Sequence, residues 1–376
     1  MNPISALFPE NYEASRARFR SNLAHIQERW PDAQLSQHAL PGDEDLTIDW
    51  IQSPATQRNE KVFILTTGEH GIEGYVGSAM QQRFIEHYLP RLDPATTGLL
   101  FVHAINPWGM KYHRRVNVNN VDLNRNFVWG TQGFSTAINP EYDQVNSFLN
   151  PTEKIGNLKI GNLKFYAGLL VLLAKMNISG FRHATLLGQY RYPQGLYYGG
   201  SDYQEETRTL IDLYRGAMEQ YEQILHLDMH TGYGPRYQMS LVNSVHEKGS
   251  SAQFVERFNY PLVVAANPNE FYAIQGDMVD YLYDLWQREF SEKRLYSTTF
   301  EFGTLGDSIF GIVHSPRAMI LENQLCWHKA ESDSLRSQVV HEFEELFNPA
   351  ADDWHAKAVA DADQAFDGIL EAEGYL

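Results

Sequence analysis

The run Val62-Phe63-Ile64-Leu65-Thr66-Thr67 is uncharged and mostly apolar, too short for a helix and rich in residues that favour strands. A strand apolar on both faces must be covered on both faces, which places it inside an α/β sheet with helices packed on either side. The chain next turns at Gly68 and enters a helix-like stretch from Tyr75 to Tyr88. The residues between them therefore lie outside the carboxyl end of an inner strand, where open α/β sheets place their sites. They include Glu69, His70 and Glu73. A second such run, Ile224-Leu225-His226-Leu227-Asp228-Met229, ends on His230, so both segments can meet on one sheet edge.

His70, Glu73 and His230 are donors of the kind zinc takes from a protein three at a time, leaving a fourth position to water. With 14 histidines in the chain, a His-x-x-Glu pair alone is weak, and its context must carry the argument. That context is a third segment: Asn106-Pro107-Trp108-Gly109, then Arg114-Arg115-Val116-Asn117, then Val121-Asp122-Leu123-Asn124-Arg125-Asn126-Phe127. With Thr298-Thr299-Phe300-Glu301-Phe302-Gly303-Thr304 further on, the order of these motifs resembles the zinc carboxypeptidase superfamily. The resemblance runs from about residue 60 to 325, and the glycine of His70-Gly71-Ile72-Glu73 is similar to the deacylase and amidase branches. The nearest match is a bacterial branch of metallopeptidases.

The resemblance implies roles for individual residues. Zinc would be held by His70, Glu73 and His230, with a second ion on Glu69 and Asp228 the less favoured arrangement. Glu301 would take a proton from water and hand it to the leaving nitrogen, because a metal that polarises a carbonyl still needs a carboxylate as proton carrier. Arg115 would stabilise the oxyanion, with the adjacent Arg114 as the alternative. Asn124 and Arg125 would grip a terminal carboxylate, a task suited to the planar guanidinium fork. Asp122 would orient a zinc histidine by accepting its free N–H, and Asp228 is read either in that role or as a plain strand-end carboxylate. His226 shares a strand face with Asp228 and His230 but lies about 13 Å along the strand from His230 at ~3.3 Å per residue, and is read as a packed core histidine.

Strand-like runs at 61–67, 98–105, 224–229, 237–245, 261–266 and 296–302 alternate with helix-like runs at 74–89, 204–223, 276–290 and 330–347. This predicts an α/β fold, a single domain over residues 1–350 with a mixed, mostly parallel sheet flanked by helices. Residues 134–191 depart from the pattern. They hold the tandem Ile155-Gly156-Asn157-Leu158-Lys159 and Ile160-Gly161-Asn162-Leu163-Lys164, and are expected to form a helical insertion or lid, with Tyr198 beyond it placed to meet substrate or to pack beneath. The most apolar segment, Phe165 to Met176, falls short of the ~20 residues needed to span a bilayer and is expected to be a buried helix, with no membrane partner. Residues 351–376 are read as an acidic helical tail whose Asp352, Asp353, Asp361, Asp363 and Asp367 face solvent.

A formal net charge of −17 without a clustered basic face speaks against nucleic acid. The single cysteine, Cys326, excludes an intramolecular disulfide, and the N-terminal segment shows no signal-peptide pattern, so a cytoplasmic location is expected. Taken together, the expectation is a zinc hydrolase cleaving an amide bond beside a free carboxylate in a peptide or an N-acyl amino acid. A deacylase, amidase or esterase on the same machinery is the alternative, followed by an inactive binding protein. The oligomeric state is open.

Overall fold

The computed structural model describes residues 4–265, 274–306 and 309–376. One eight-stranded mixed sheet runs in the order β1-β2-β4-β3-β5-β8-β6-β7. Its strands are β1 (Gln34–Leu40), β2 (Asp43–Ser53), β3 (Lys61–Thr67), β4 (Thr97–His103), β5 (Gln223–Thr231), β6 (Met239–Asn243), β7 (Val263–Ala265) and β8 (Arg294–Phe302). The expected strand at 261–266 is therefore shorter, and its last residue lies outside the described residues. The centre, β4-β3-β5-β8, is parallel, and β1, β2 and the β6–β8 pair add antiparallel edges.

Alternation along the inner strands sorts the helices. Phe63 and Leu65 join one cluster with α1 (Tyr12–Gln27), α2 (Gly74–His87), α7 (Ser251–Phe258) and α11 (Asp352–Ala372). Val62 and Ile64 face the other way, onto α6 (Glu205–Gln220), α8 (Met278–Glu289) and Met110 of the short α3 (Pro107–Lys111). A third cluster gathers α4 (Tyr142–Leu149), α5 (Leu158–Leu186), α9 (Ile309–His328) and α10 (Asp333–Phe347) around Ile72 and Tyr197. Both sheet faces are thus covered, as the two-sided apolar runs require.

Two expectations need correction. Helix α5 spans 29 residues with a break at Asn177, whose backbone is left-handed at φ 55°, and only 6% of its most apolar window is buried. Leu172, Phe181 and Ala184 turn inward, while Ile160, Leu163, Leu170, Val171 and Ile178 are more than half exposed. The expectation of a buried helix failed because the helix carries apolar residues on two sides and the described residues cover only one of them.

The acidic tail is a solvated face only in part: Asp352, Asp353 and Asp367 are exposed, but its helix is built into the core. In α11, Trp354, Phe366, Ile369 and Leu370 are core residues. Asp361 is buried and accepts the Met239 N–H, Asp363 receives a two-pronged contact from Arg83, and Asp367 pairs with Arg91. These partners lie far away in sequence, so charge composition could not reveal them.

Candidate active site

His70 and Glu73 flank a single 3-10 turn, Gly71–Glu73, that links β3 to α2, and His230 is the penultimate residue of β5. Gly71 is required by close approach. A Cβ at this position would lie 2.1 Å from the carbonyl carbon of Gly109, and the Gly71 and Ile72 N–H groups donate to the Arg115 and Arg114 carbonyls at 3.1 and 3.0 Å. The Asn106-Pro107 turn braces the same place: Asn106 Oδ1 caps α3 through the Gly109 N–H, its backbone N–H donates to Gly68 O, and its side-chain amide donates to Arg115 O. The motifs met separately in the sequence are therefore one interlocked support.

That support brings three donors together. His70 Nδ1 lies 2.9 Å from Glu73 Oε1 and 3.2 Å from His230 Nδ1, and His230 Nδ1 lies 3.1 Å from Glu73 Oε2. Tetrahedral zinc with ligands at about 2.1 Å holds its donors about 3.4 Å apart, so this triangle lies within a few tenths of an ångström of the spacing such an ion needs. The opposite ring nitrogens are already occupied: His70 Nε2 meets Asp122 Oδ1 at 3.1 Å, and His230 Nε2 meets Asp228 Oδ2 at 2.6 Å. A carboxylate at Nε2 keeps the proton there and leaves the Nδ1 lone pair for a cation. On donor type, spacing and tautomer, the set fits a divalent ion.

Glu69 adds a second carboxylate. The donor atoms of Glu69, His70 and His230 also lie within 4.8 Å of one another. Glu69 is buried, and its one polar contact among the described residues is an ion-pair approach to the Nε2 side of His230 at 3.3 Å, where Asp228 already sits at 2.6 Å. Glu73 approaches from the Nδ1 side that His70 shares, with Oε1 toward His70 and Oε2 toward His230. Burial pushes Glu69 up to about 7. Burial acts on Glu73 the same way, but His70 and His230 outweigh it and hold Glu73 at about 2.

Glu301 is the register partner of His230 on the neighbouring parallel strand. Its Oε1 accepts the Tyr233 N–H at 2.9 Å, and burial, reinforced by the negative charge of Glu73, pushes its carboxyl up to about 7. Of the two arginines, Arg115 is the one beside the metal-type donors: it pairs with Asp122, which also holds His70. Arg114 points away, onto Glu322 and Asn120.

The expected carboxylate anchors are placed differently. Asn124 Oδ1 accepts the Met278 N–H at the start of α8, and its amide donates to Asp277. Arg125 is buried and donates to the carbonyls of Asn124 and Leu186. Tyr198 packs in the apolar cluster with Val121 and Leu123. Its neighbour Tyr197, the other tyrosine of the Tyr197-Tyr198 pair in the sequence, lies beside the arginines instead. With its backbone in the left-handed region at φ 57°, it sets its ring 5.8 Å from the Arg115 guanidinium and 5.5 Å from that of Arg125. A cavity beside Arg115 is lined by Arg114, Asn120, Tyr197, Met319 and Glu322.

His226 is buried, as expected of a core histidine, and burial lowers its pKa to about 4. It is nonetheless tied to the site. Ser297 Oγ meets its Nδ1 at 2.8 Å, and Thr66 Oγ1 meets its Nε2 at 2.8 Å while donating to Asp228 Oδ1 at 2.5 Å. The polar chain Ser297-His226-Thr66-Asp228-His230 thus crosses β8, β5 and β3.

A family described as "Protein of unknown function (DUF2817)" matches residues 8–361. The chain belongs to that family. No curated protein sequence matches it. Among solved structures, its fold is similar to bovine thrombin-activatable fibrinolysis inhibitor in complex with tick carboxypeptidase inhibitor, at 14% identity over 86% of this chain and 96% of that one, with a TM-score of 0.44. Carboxypeptidase A from Helicoverpa armigera is similar at 12% identity over 90% and 74%, with a TM-score of 0.43. Murein-tripeptide amidase from Escherichia coli O157 is similar at 16% identity over 78% and 92%, with a TM-score of 0.35.

Proposed function

We propose that this chain is a zinc-dependent hydrolase that cleaves an amide bond next to a free carboxylate. The observation that carries the proposal is the buried triangle of His70 Nδ1, Glu73 and His230 Nδ1, with Glu301 one strand away in register with His230. Zinc held there would polarise the scissile carbonyl and make water acidic enough to attack near neutral pH. Glu301 supplies the proton carrier: a carboxyl poised near 7 can both accept a proton from the attacking water and return it to the leaving nitrogen. Arg115, held by Asp122, is the cation available to a developing oxyanion.

Support for an anionic substrate comes from charge. Arg115 and Arg125 flank Tyr197, placing two guanidinium groups on one ring beside the candidate site. With Asn124 occupied at α8, carboxylate recognition is assigned to these arginines. The test uses zinc-loaded protein and a matched panel: peptides with free and amidated C-termini, N-acyl amino acids and the corresponding esters. Substrates with a free carboxylate should be preferred, and Glu301→Gln should keep the metal and the fold while kcat falls by at least ~10². Turnover per folded molecule unchanged in Glu301→Gln would remove Glu301 from the chemistry, and equal rates on blocked and free substrates would remove the carboxylate from the specificity.

A further inference from the structure

An apolar helix is either buried or in contact with something apolar. The outer side of helix α5 is neither covered by the described residues nor broken up by polar ones. At about 100° per residue, Ile160, Leu163, Ala167, Leu170, Val171 and Ala174 fall on one stripe, and all six are exposed, Leu163 and Leu170 to 71% and 69%; the helix breaks after this stripe at Asn177, whose backbone is at φ 55° and ψ 177°. The opposite stripe, through Phe165, Leu169, Leu172 and Met176, belongs to the cluster with α4, where Phe165 stacks on Phe148 at 5.1 Å.

Charge says what can cover the outer stripe. The charged residues of α5 are Lys159, Lys164, Lys175 and Arg182, with no carboxylate among them, although the chain as a whole carries −17. By the same helical angle, Lys159 borders the stripe on one side and Lys164 and Lys175 border it on the other. Lys164 also shares the exposed Glu153 at 3.7 Å. A bare apolar stripe edged by lysines suits the boundary between lipid headgroups and acyl chains, with the ammonium groups at the phosphates. A second copy suits it less, because two such helices meeting antiparallel about a two-fold axis would bring Lys164 of one copy near Lys175 of the other. The helix is long and apolar enough to cross a bilayer, but its inner stripe is committed to α4, so it can only lie along a surface.

We propose that α5 docks this protein on an anionic lipid surface. The inference stands independently of the hydrolase proposal. The inner face of α5 packs in the same cluster as Ile72, between His70 and Glu73, and the Leu186 carbonyl near its C-terminus accepts from Arg125. Docking would therefore hold the candidate site against the membrane.

The experiment is co-sedimentation of the full chain with vesicles of phosphatidylcholine, with and without added phosphatidylglycerol, at low and high salt. It is run on wild type, on Leu163→Asp with Leu170→Asp, and on Lys159→Glu with Lys164→Glu and Lys175→Glu. All these positions are solvent-facing, so thermal melts should stay within a few degrees, and light scattering reports any self-association. Expected is binding to the phosphatidylglycerol vesicles that weakens with salt and falls at least about tenfold in each variant. Absence of binding overturns the proposal, as does equal binding to both vesicle types or binding that survives both sets of substitutions. A dimer in solution that the aspartates dissolve also overturns it, in favour of a second copy.

Discussion

Replacing Gly71 by alanine tests the support of the site without touching any group assigned a chemical role. The added methyl would sit 2.1, 2.3 and 2.4 Å from Gly109 C, Met110 N and Gly109 Cα, all of them backbone atoms that no rotamer change can move. Ordinary carbon contacts lie near 3.5 Å, so the turn and α3 must separate by a little over ~1 Å. That separation stretches the Gly71-to-Arg115 and Ile72-to-Arg114 hydrogen bonds, now 3.1 and 3.0 Å, beyond useful range. Two backbone bonds at about 0.5–1.5 kcal/mol each and an overpacking cost of about 1–3 kcal/mol give a destabilisation of about 2–6 kcal/mol. With an unfolding entropy of about 2.1 cal/mol/K per residue, that is about 3–8 °C in Tm. Because His70 and Glu73 flank the turn, displacement by ~1 Å should also cost kcat/KM about 10²-fold. The assay pairs a thermal melt with zinc titration against a competing chelator. Gly216→Ala is the control: its methyl would meet nothing within 4 Å on α6, and it should be neutral to slightly stabilising. Wild-type melting and zinc affinity in Gly71→Ala would refute the argument that this glycine exists for close approach.

Asp122→Asn should weaken zinc by about 10- to 100-fold, because it removes the carboxylate on His70 Nε2 and leaves Arg115 without its ion-pair partner; chelator competition measures this directly. Glu206, buried at the start of α6 with the Asn117 amide donating to both its oxygens, is pushed by burial up to about 7. Its folded-state value lies above the unfolded one, so its contribution is present below about pH 4.5 and is lost as pH rises through about 7. Glu206→Gln should flatten the fall in stability over that window, by up to about 3 kcal/mol at pH 8; urea unfolding curves of wild type and variant that run parallel in pH would contradict this.

What the sequence disclosed follows from burial. β3 and β5 are covered on both faces and so read as apolar runs whose ends located His70, Glu73 and His230, whereas β8 read as an alternating strand and Glu301 was singled out there by the motif it resembles. β1 and β2 went unread because β1 is a half-exposed edge strand with a polar sequence, Gln34-Leu35-Ser36-Gln37-His38, that no alternation betrays. The choice between Arg114 and Arg115 depended on where each side chain turns after a backbone the motif does not describe. Of the adjacent Tyr197 and Tyr198 the sequence could not say which ring meets the arginines, because one left-handed residue decides it. For α5, composition gave the apolarity but could not give the number of sides the fold would cover.

The polar chain from Ser297 through His226, Thr66 and Asp228 to His230 has a kinetic consequence. Its members sit on three central strands joined by continuous parallel ladders, and each is fully buried. Such segments open only with the whole domain, unlike loops that fray on their own. The His230 imidazole therefore cannot swing away through a local fluctuation, and loss of an ion bound there would have to begin at His70 or Glu73, on the short turn between β3 and α2. The order in which ligands let go, with His230 last, would then set how fast a chelator takes the ion.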